Sequence, residues 1–284
     1  SQAVLPNLMP RGQFPKAVAY SSSANKAAQL AGPAFGGFLI VGIGDGVYVF
    51  TLIMFLIAGI SAALISGNLK VPAKEPVNLK VIMGGFTYIW NNKIVLGAIS
   101  IDLIAVLFGG LMGLLPIFAS DILHVGPSGL GVMRAMPGVG SLIVGILLTQ
   151  IAAPRYMGPT LFFSLAVFGL SITAFSLSET YWISLVALGI YGAADMVSVY
   201  VRQTLVQIAT PDSMRGRVSA VNAISINASN ELGDFRAGVM AGGIGPVPAV
   251  LVGGITTVAA TILWMKLFPS IRRIDRLDQI KMNG

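Results

Sequence analysis

Apolar runs of about 20 residues recur along the chain, separated by shorter polar connections. About 20 residues at a rise of 1.5 Å cross the ~30 Å hydrocarbon core of a bilayer, so each run predicts a membrane-spanning helix. Eight spans are predicted, at Ala17–Val41, Val47–Ser66, Ile94–Ala119, Ser128–Ile151, Pro159–Leu177, Tyr181–Gln207, Val218–Gly243 and Val247–Phe268. A membrane barrel would show alternating segments of about ten residues, and that alternation is absent. The seventh run departs from the rest. "VSAVNAISINASNELGDFRAGVMAGG" is small and apolar, yet it carries Asn222, Asn227, Asn230, Glu231, Asp234 and Arg236. Asn227, Asn230, Glu231 and Asp234 recur at three- and four-residue steps, which places them on one helical face. A face of that polarity predicts a border with water or a polar partner instead of lipid.

Composition agrees with an all-α integral membrane protein. Hydrophobic residues make up 55% and charged residues 10%, against about a quarter charged in soluble domains. With no cysteine there is no disulfide, thiolate metal site or cysteine nucleophile. The single histidine, His124, falls in an outer connection and is expected to be solvated. An intramembrane enzyme needs a nucleophile–base pair or a metal set, and the sequence offers neither. No catalytic residue, metal or cofactor is expected.

The net charge is +7, and its placement excludes a nucleic-acid patch. Lysines and arginines fall before the first span, between the second and third, after the fourth, after the sixth and after the eighth. The intervening connections, "GIGDG", "SDILHVGP", "SET" and "GIGPVP", contain none. Such alternation is the positive-inside pattern and predicts that both ends of the chain are cytoplasmic. Within the long connection Val71–Asn92, Val77, Val81, Phe86 and Ile89 recur at loosely helical intervals. Two readings stand for it: an amphipathic helix at the cytoplasmic interface, or a packed linker between two bundles.

An internal repeat adds to this picture. A shift of 201 positions brings Pro10 onto Pro211, Gly32 onto Gly233, Gly37 onto Gly238 and the "GIG" at Gly42 onto the "GIG" at Gly243. Spans one and two then correspond to spans seven and eight, each repeat has six spans, and twelve are expected in all. Four spans, on the order of 110 residues, are expected to lie outside this chain. A first residue Ser1 fits that expectation. Parallel six-helix repeats are the plan of major facilitator transporters.

The chain resembles the major facilitator superfamily, in particular its enterobactin-exporter-like or transmembrane secretion effector group of bacterial drug and siderophore exporters. The resemblance is carried by "LPNLMPRGQFPKAVAYSSSANKAAQLAGPAFGG", "SIDLIAVLFGGLMGLLPIFASDIL", "GPSGLGVMRAMPGVGSL" and "GAADMVSVYVRQTLVQIATPDSMRGRVSAVNAISINASNELG". It implies the last two helices of a first bundle in residues 1–70, a cytoplasmic linker at 71–93, a complete six-helix bundle at 94–268 and a basic cytoplasmic tail at 269–284. It also implies a multi-pass protein of the bacterial inner membrane that exports small molecules by alternating access, usually coupled to proton entry. The cytoplasmic loop "GILLTQIAAPRYMGP" keeps a glycine and Arg155 but lacks the aspartate of the family's gating motif.

Ionisable groups within the spans are the candidate site. A charge at mid-bilayer costs about 2.5–3.5 kcal/mol on insertion scales, so it faces a cavity or a partner. Asp102, Arg134, Asp195, Arg202, Asn227, Asn230, Glu231 and Asp234 are the transport-path or coupling candidates. Asp195 and Arg202, seven residues apart, share a helical face. For Asp102 and Asp195, a locking or gating ion pair and a proton-coupling carboxylate both stand, because a buried acid can hold and release a proton as a cavity changes sides. Glu231 and Asp234 are expected to make bundle-to-bundle contacts or to line the cavity. For Arg134 and Arg202, pairing with a carboxylate is expected. Asn227 and Asn230 either line the path or hydrogen-bond neighbouring helices. Arg155, Arg215 and Arg217 are candidates for a cytoplasmic gate or for contact with anionic headgroups. Glycine-rich segments such as "PGVGSLIVG" and "AGVMAGG" predict close helix packing, with Pro33, Pro116 and Pro137 as kink points. The expected activity is export of a small-molecule substrate across a lipid bilayer, with protons as the coupling ion. The alternative is a non-transporting remnant or a membrane assembly subunit.

Overall fold

A computed structural model describes residues 32, 35–36, 39–40, 42–64, 79–150, 156–272 and 274. Most of the predicted first span lies outside the described residues, as do Arg11, Lys16, Arg155 and Arg273. The described residues are helical: α1 Gly46–Ala63, α2 Leu79–Asn91, α3 Lys93–Gly109, α4 Gly126–Gln150, α5 Met157–Ser176, α6 Tyr181–Ile208, α7 Asp212–Ile244 and α8 Pro246–Leu267. Three short turns link α3 to α4, and a last turn, Pro269–Arg272, follows α8.

The chain forms two compact units, residues 1–77 with 126–135 and residues 78–125 with 136–284. In the first, α1 is apolar around its whole circumference, and Tyr48, Leu52 and Phe55 are exposed. That is the pattern of a helix whose surroundings are themselves apolar.

The second unit holds the larger core. There α5 packs against α6 and α8, α3 against α7, α8 and α6, and α2 against α7. Ile101, Met157, Leu161, Val201, Leu205 and Ile271 are fully or almost fully buried where these helices meet. Asn92 separates α2 from α3 and caps the latter, its side-chain oxygen accepting from the N–H groups of Ile94 and Val95 at 3.2 and 3.1 Å. An extended backbone with a short acceptor side chain is what a helix start requires. Between α4 and α6 the backbones touch. A Cβ at Gly192 would collide with the Pro137 carbonyl, and the Ser141 hydroxyl donates to the Gly192 carbonyl at 2.8 Å. Only glycine allows that approach.

Five described segments are long and apolar enough to cross a membrane: Lys93–Ile122, Gly126–Leu148, Met157–Ser176, Tyr181–Ile208 and Pro246–Leu267. They overlap the third, fourth, fifth, sixth and eighth predicted spans. Helix α1, apolar over Gly46–Ser61, is shorter than these. The predicted seventh span lies inside α7, which runs for 33 residues. It is long enough to cross, but the polar residues along it keep it out of the apolar set.

Candidate functional site

In the second unit, α3, α6 and α7 meet along a polar seam. Asp102 on α3 and Arg202 on α6 are 4% and 2% exposed. Arg202 Nη2 lies 3.2 Å from Asp102 Oδ2, and Nη1 donates to Asn222 Oδ1 on α7 at 3.3 Å. One guanidinium therefore ties three helices together. Arginine suits this role because its planar fork presents several donors in fixed directions. Its Nε has no hydrogen-bond partner among the described residues, and neither does the Ser198 hydroxyl, one turn back on the same helix. A buried guanidinium with an unused donor is not held as tightly as its geometry allows.

Further along, the predicted third span is not one continuous helix. Helix α3 ends at Gly109, and Gly110 turns out of helical geometry with φ −56° and ψ 117°. A 3-10 turn at Met112–Leu114, an α-turn at Leu115–Ile117 and a π-turn at Phe118–Ile122 follow. Pro116 falls in the first turn of the Leu115–Ile117 piece, where the missing N–H of proline is tolerated.

Helix α7 satisfies both sides of the break. Arg236 donates from Nε to the Leu107 carbonyl at 3.0 Å and from Nη2 to the Phe108 carbonyl at 2.7 Å. Its guanidinium also sits 5.5 Å above the centre of the Phe108 ring. Asp234 Oδ1 accepts from the Gly113 N–H at 3.2 Å. The cation thus meets the negative end of the first helical piece and the anion the positive start of the next. Gly233 makes this possible: a Cβ there would lie 2.8 Å from the Val106 carbonyl oxygen.

The other predicted residues are distributed differently. Asp195 is half-buried on α6, four residues beyond Tyr191. The Tyr191 ring stacks on Phe168 with centroids 4.5 Å apart. Asp195 shares α6 with Arg202, yet the carboxylate that Arg202 meets is that of Asp102. Asn227, Asn230 and Glu231 are exposed on α7, whereas Ser229, Gly233 and Ala237 form its buried side. The predicted polar stripe therefore splits, with Asp234 turned toward the break and the other three away from it. Arg134 is exposed and belongs to the first unit. Arg215 and Arg217 are exposed at the start of α7, with Arg215 Nε donating to the Gln207 carbonyl at 3.2 Å. Arg155 lies outside the described residues. His124 is exposed, and its Nδ1 is 2.8 Å from the Ser120 carbonyl, closing the π-turn. Among the described residues no cluster of three or more His, Asp or Glu is placed to hold a metal ion.

Sequence reasoning missed Tyr191, Ser198 and the carbonyl partners of Arg236. A tyrosine or serine in an apolar run carries no distinguishing signal. For Arg236, the adjacent pair Gly109–Gly110 is visible in the sequence, but that it faces Arg236 is not.

Comparison with known proteins fits this arrangement. The profile of the Major Facilitator Superfamily matches residues 1–233. The enterobactin exporter EntS of Citrobacter koseri is 24% identical over 206 residues, covering 71% of this chain and 48% of that protein. The enterobactin exporter EntS of Escherichia coli O1:K1 is also 24% identical, over 208 residues, with the same coverage of both chains. A Na(+), Li(+), K(+)/H(+) antiporter of Planococcus maritimus is 26% identical over 99 residues, 35% of this chain and 23% of the antiporter. The chain spans about half the length of the exporters it matches. A profile match over most of the chain, carried by apolar helices that bury an ion pair between them, establishes that the chain belongs to the Major Facilitator Superfamily of membrane transporters.

Proposed function

We propose that this chain is part of a secondary active transporter that exports small amphipathic molecules, of drug or siderophore class, in exchange for protons. In this reading its eight spans belong to a twelve-helix protein of the bacterial inner membrane, with both ends of the chain cytoplasmic. The observation that carries the proposal is the buried Asp102–Arg202 pair, 3.2 Å apart across two helices and bonded to a third. A charge pair that serves only as a lock is a poor investment. Apolar replacements of similar volume are often as stable or more so by about 1–4 kcal/mol. A carboxylate that exchanges its proton has a reason to be there.

Asp102 then acts as the coupling carboxylate. When it is ionised, Arg202 holds it and the three helices close on one another. When it takes up a proton, the charge attraction is lost and the guanidinium is left with neutral acceptors, the carboxyl oxygen and Asn222 Oδ1. Arg202 so converts a proton on α3 into a change in how α6 meets α7. Asp195 is a further candidate along the path. The exposed Asn227, Asn230 and Glu231 are further candidates to line it, and Arg155, Arg215 and Arg217 serve a cytoplasmic gate or contact anionic headgroups. Support comes from two relatives named as enterobactin exporters and from a third named as a cation/proton antiporter.

The test is transport by the full-length protein in proteoliposomes under an imposed pH gradient, with a panel of siderophores and amphipathic drugs. At least one compound is expected to accumulate, and a protonophore is expected to stop it. Accumulation unaffected by the protonophore would remove proton coupling from the account.

A further inference from the structure

Helix α2 has two opposed faces. On one, Ile89 is buried in the core, the Tyr88 hydroxyl donates to the Ala209 carbonyl at 2.6 Å, and Gly85 lies against the backbone of α7. A Cβ at Gly85 would sit 2.9 Å from the Arg217 carbonyl oxygen, so nothing larger permits that contact without a shift. On the other face, Met83, Phe86 and Trp90 are 56%, 52% and 65% exposed. The Phe86 and Trp90 rings stack with centroids 6.2 Å apart. The one hydroxyl on this face, that of Thr87, donates back to the Met83 carbonyl at 2.9 Å, so the face makes no demand on water. Large exposed aromatic and thioether groups on an anchored helix mark a surface made to be covered.

Charge identifies the cover. No acidic residue occurs from Pro76 to Ile101. Arg217 extends beside α2, with its Nη1 3.4 Å from the position a Cβ on Gly84 would take. Lys93 is exposed just beyond the cap residue Asn92. An apolar and aromatic stripe edged by cations is the pattern of a helix lying in the headgroup layer of an anionic leaflet.

We propose that α2 is an interfacial helix that binds anionic phospholipid. Met83, Phe86 and Trp90 sit at the boundary of the acyl chains, and Arg217 and Lys93 meet the headgroup phosphate. Because Gly85 and Tyr88 fasten α2 to α7 and to the connection before it, the lipid is also coupled to the helix that carries Asn222, Asp234 and Arg236.

The test uses Trp90 as the only tryptophan, in the full-length protein with Trp182→Phe, Trp264→Phe and every tryptophan outside these 284 residues replaced by phenylalanine. The protein is reconstituted in phosphatidylcholine vesicles containing equal fractions of either acyl-brominated phosphatidylglycerol or acyl-brominated phosphatidylcholine. Quenching by the anionic lipid is expected to exceed that by the zwitterionic lipid about twofold or more. Arg217→Gln and Lys93→Gln are each expected to reduce that preference while leaving quenching by phosphatidylcholine intact. Equal quenching by the two lipids in the unsubstituted background overturns the anionic site. Quenching by neither means that protein covers the face, and overturns it as well. A preference that survives both glutamine variants removes Arg217 and Lys93 from the proposal. Since the readout is lipid contact and requires no transport, it fails or succeeds independently of the coupling mechanism.

Discussion

Arg202 and Asp102 are each more than nine-tenths buried, so neither retains water to compensate the loss of its partner. Removing one member of a buried pair costs about 3–5 kcal/mol, while replacing both by apolar groups of similar size is near neutral or better. Arg202→Met is therefore expected to lower the thermal midpoint in detergent markedly. The double variant Asp102→Leu/Arg202→Met should recover most of the loss. Additive losses would mean that the two side chains act independently. Both residues were visible in the sequence as charges in apolar runs, and their burial followed from the cost of exposing them to lipid. Their pairing was not. Asp195 is nearer to Arg202 along the chain, but helical periodicity places residues only on their own helix and says nothing of which face α3 presents to it.

Helix α7 is the element whose role differs most from its hydropathy. Its glycines and polar residues make it a weak candidate for crossing lipid, yet in the structure they are what allow it to seat against α3. Arg236→Leu would leave the Leu107 and Phe108 carbonyls without their side-chain donor. Each orphaned group costs about 1–3 kcal/mol. Hydrogen exchange should then rise through residues 106–122 and stay unchanged in α2, which packs against the other end of α7 at Gly85 and Arg217. Unaltered protection at the break would show that Arg236 does not hold it. Spans dominated by leucine, isoleucine, valine and phenylalanine were legible from the sequence to within a few residues. The break at Gly109–Leu111 was not, because paired glycines in a membrane helix serve close packing as often as they end a helix. Only the neighbouring helix decides between the two.

At the scale of the whole molecule, the alternation of basic and neutral connections and the glycine register of the internal repeat both come from the sequence. The family match over residues 1–233 supports the class of protein they indicate. Orientation is directly testable because these 284 residues contain no cysteine, so a single one can be introduced into a full-length protein cleared of any other. In intact cells an impermeant maleimide is expected to label Glu179→Cys, in the connection between α5 and α6. Arg215→Cys should react only after the membrane is opened. The reverse pattern would invert the topology. The coupling role of Asp102 is tested most directly by separating exchange from accumulation in proteoliposomes. Asp102→Asn keeps the shape of the side chain but cannot exchange a proton. The full-length variant is expected to exchange labelled for unlabelled substrate at equal pH, yet to lose accumulation driven by a pH gradient. If Asp102→Asn accumulates substrate under the gradient as the unaltered protein does, the buried pair is a lock and not the coupling site.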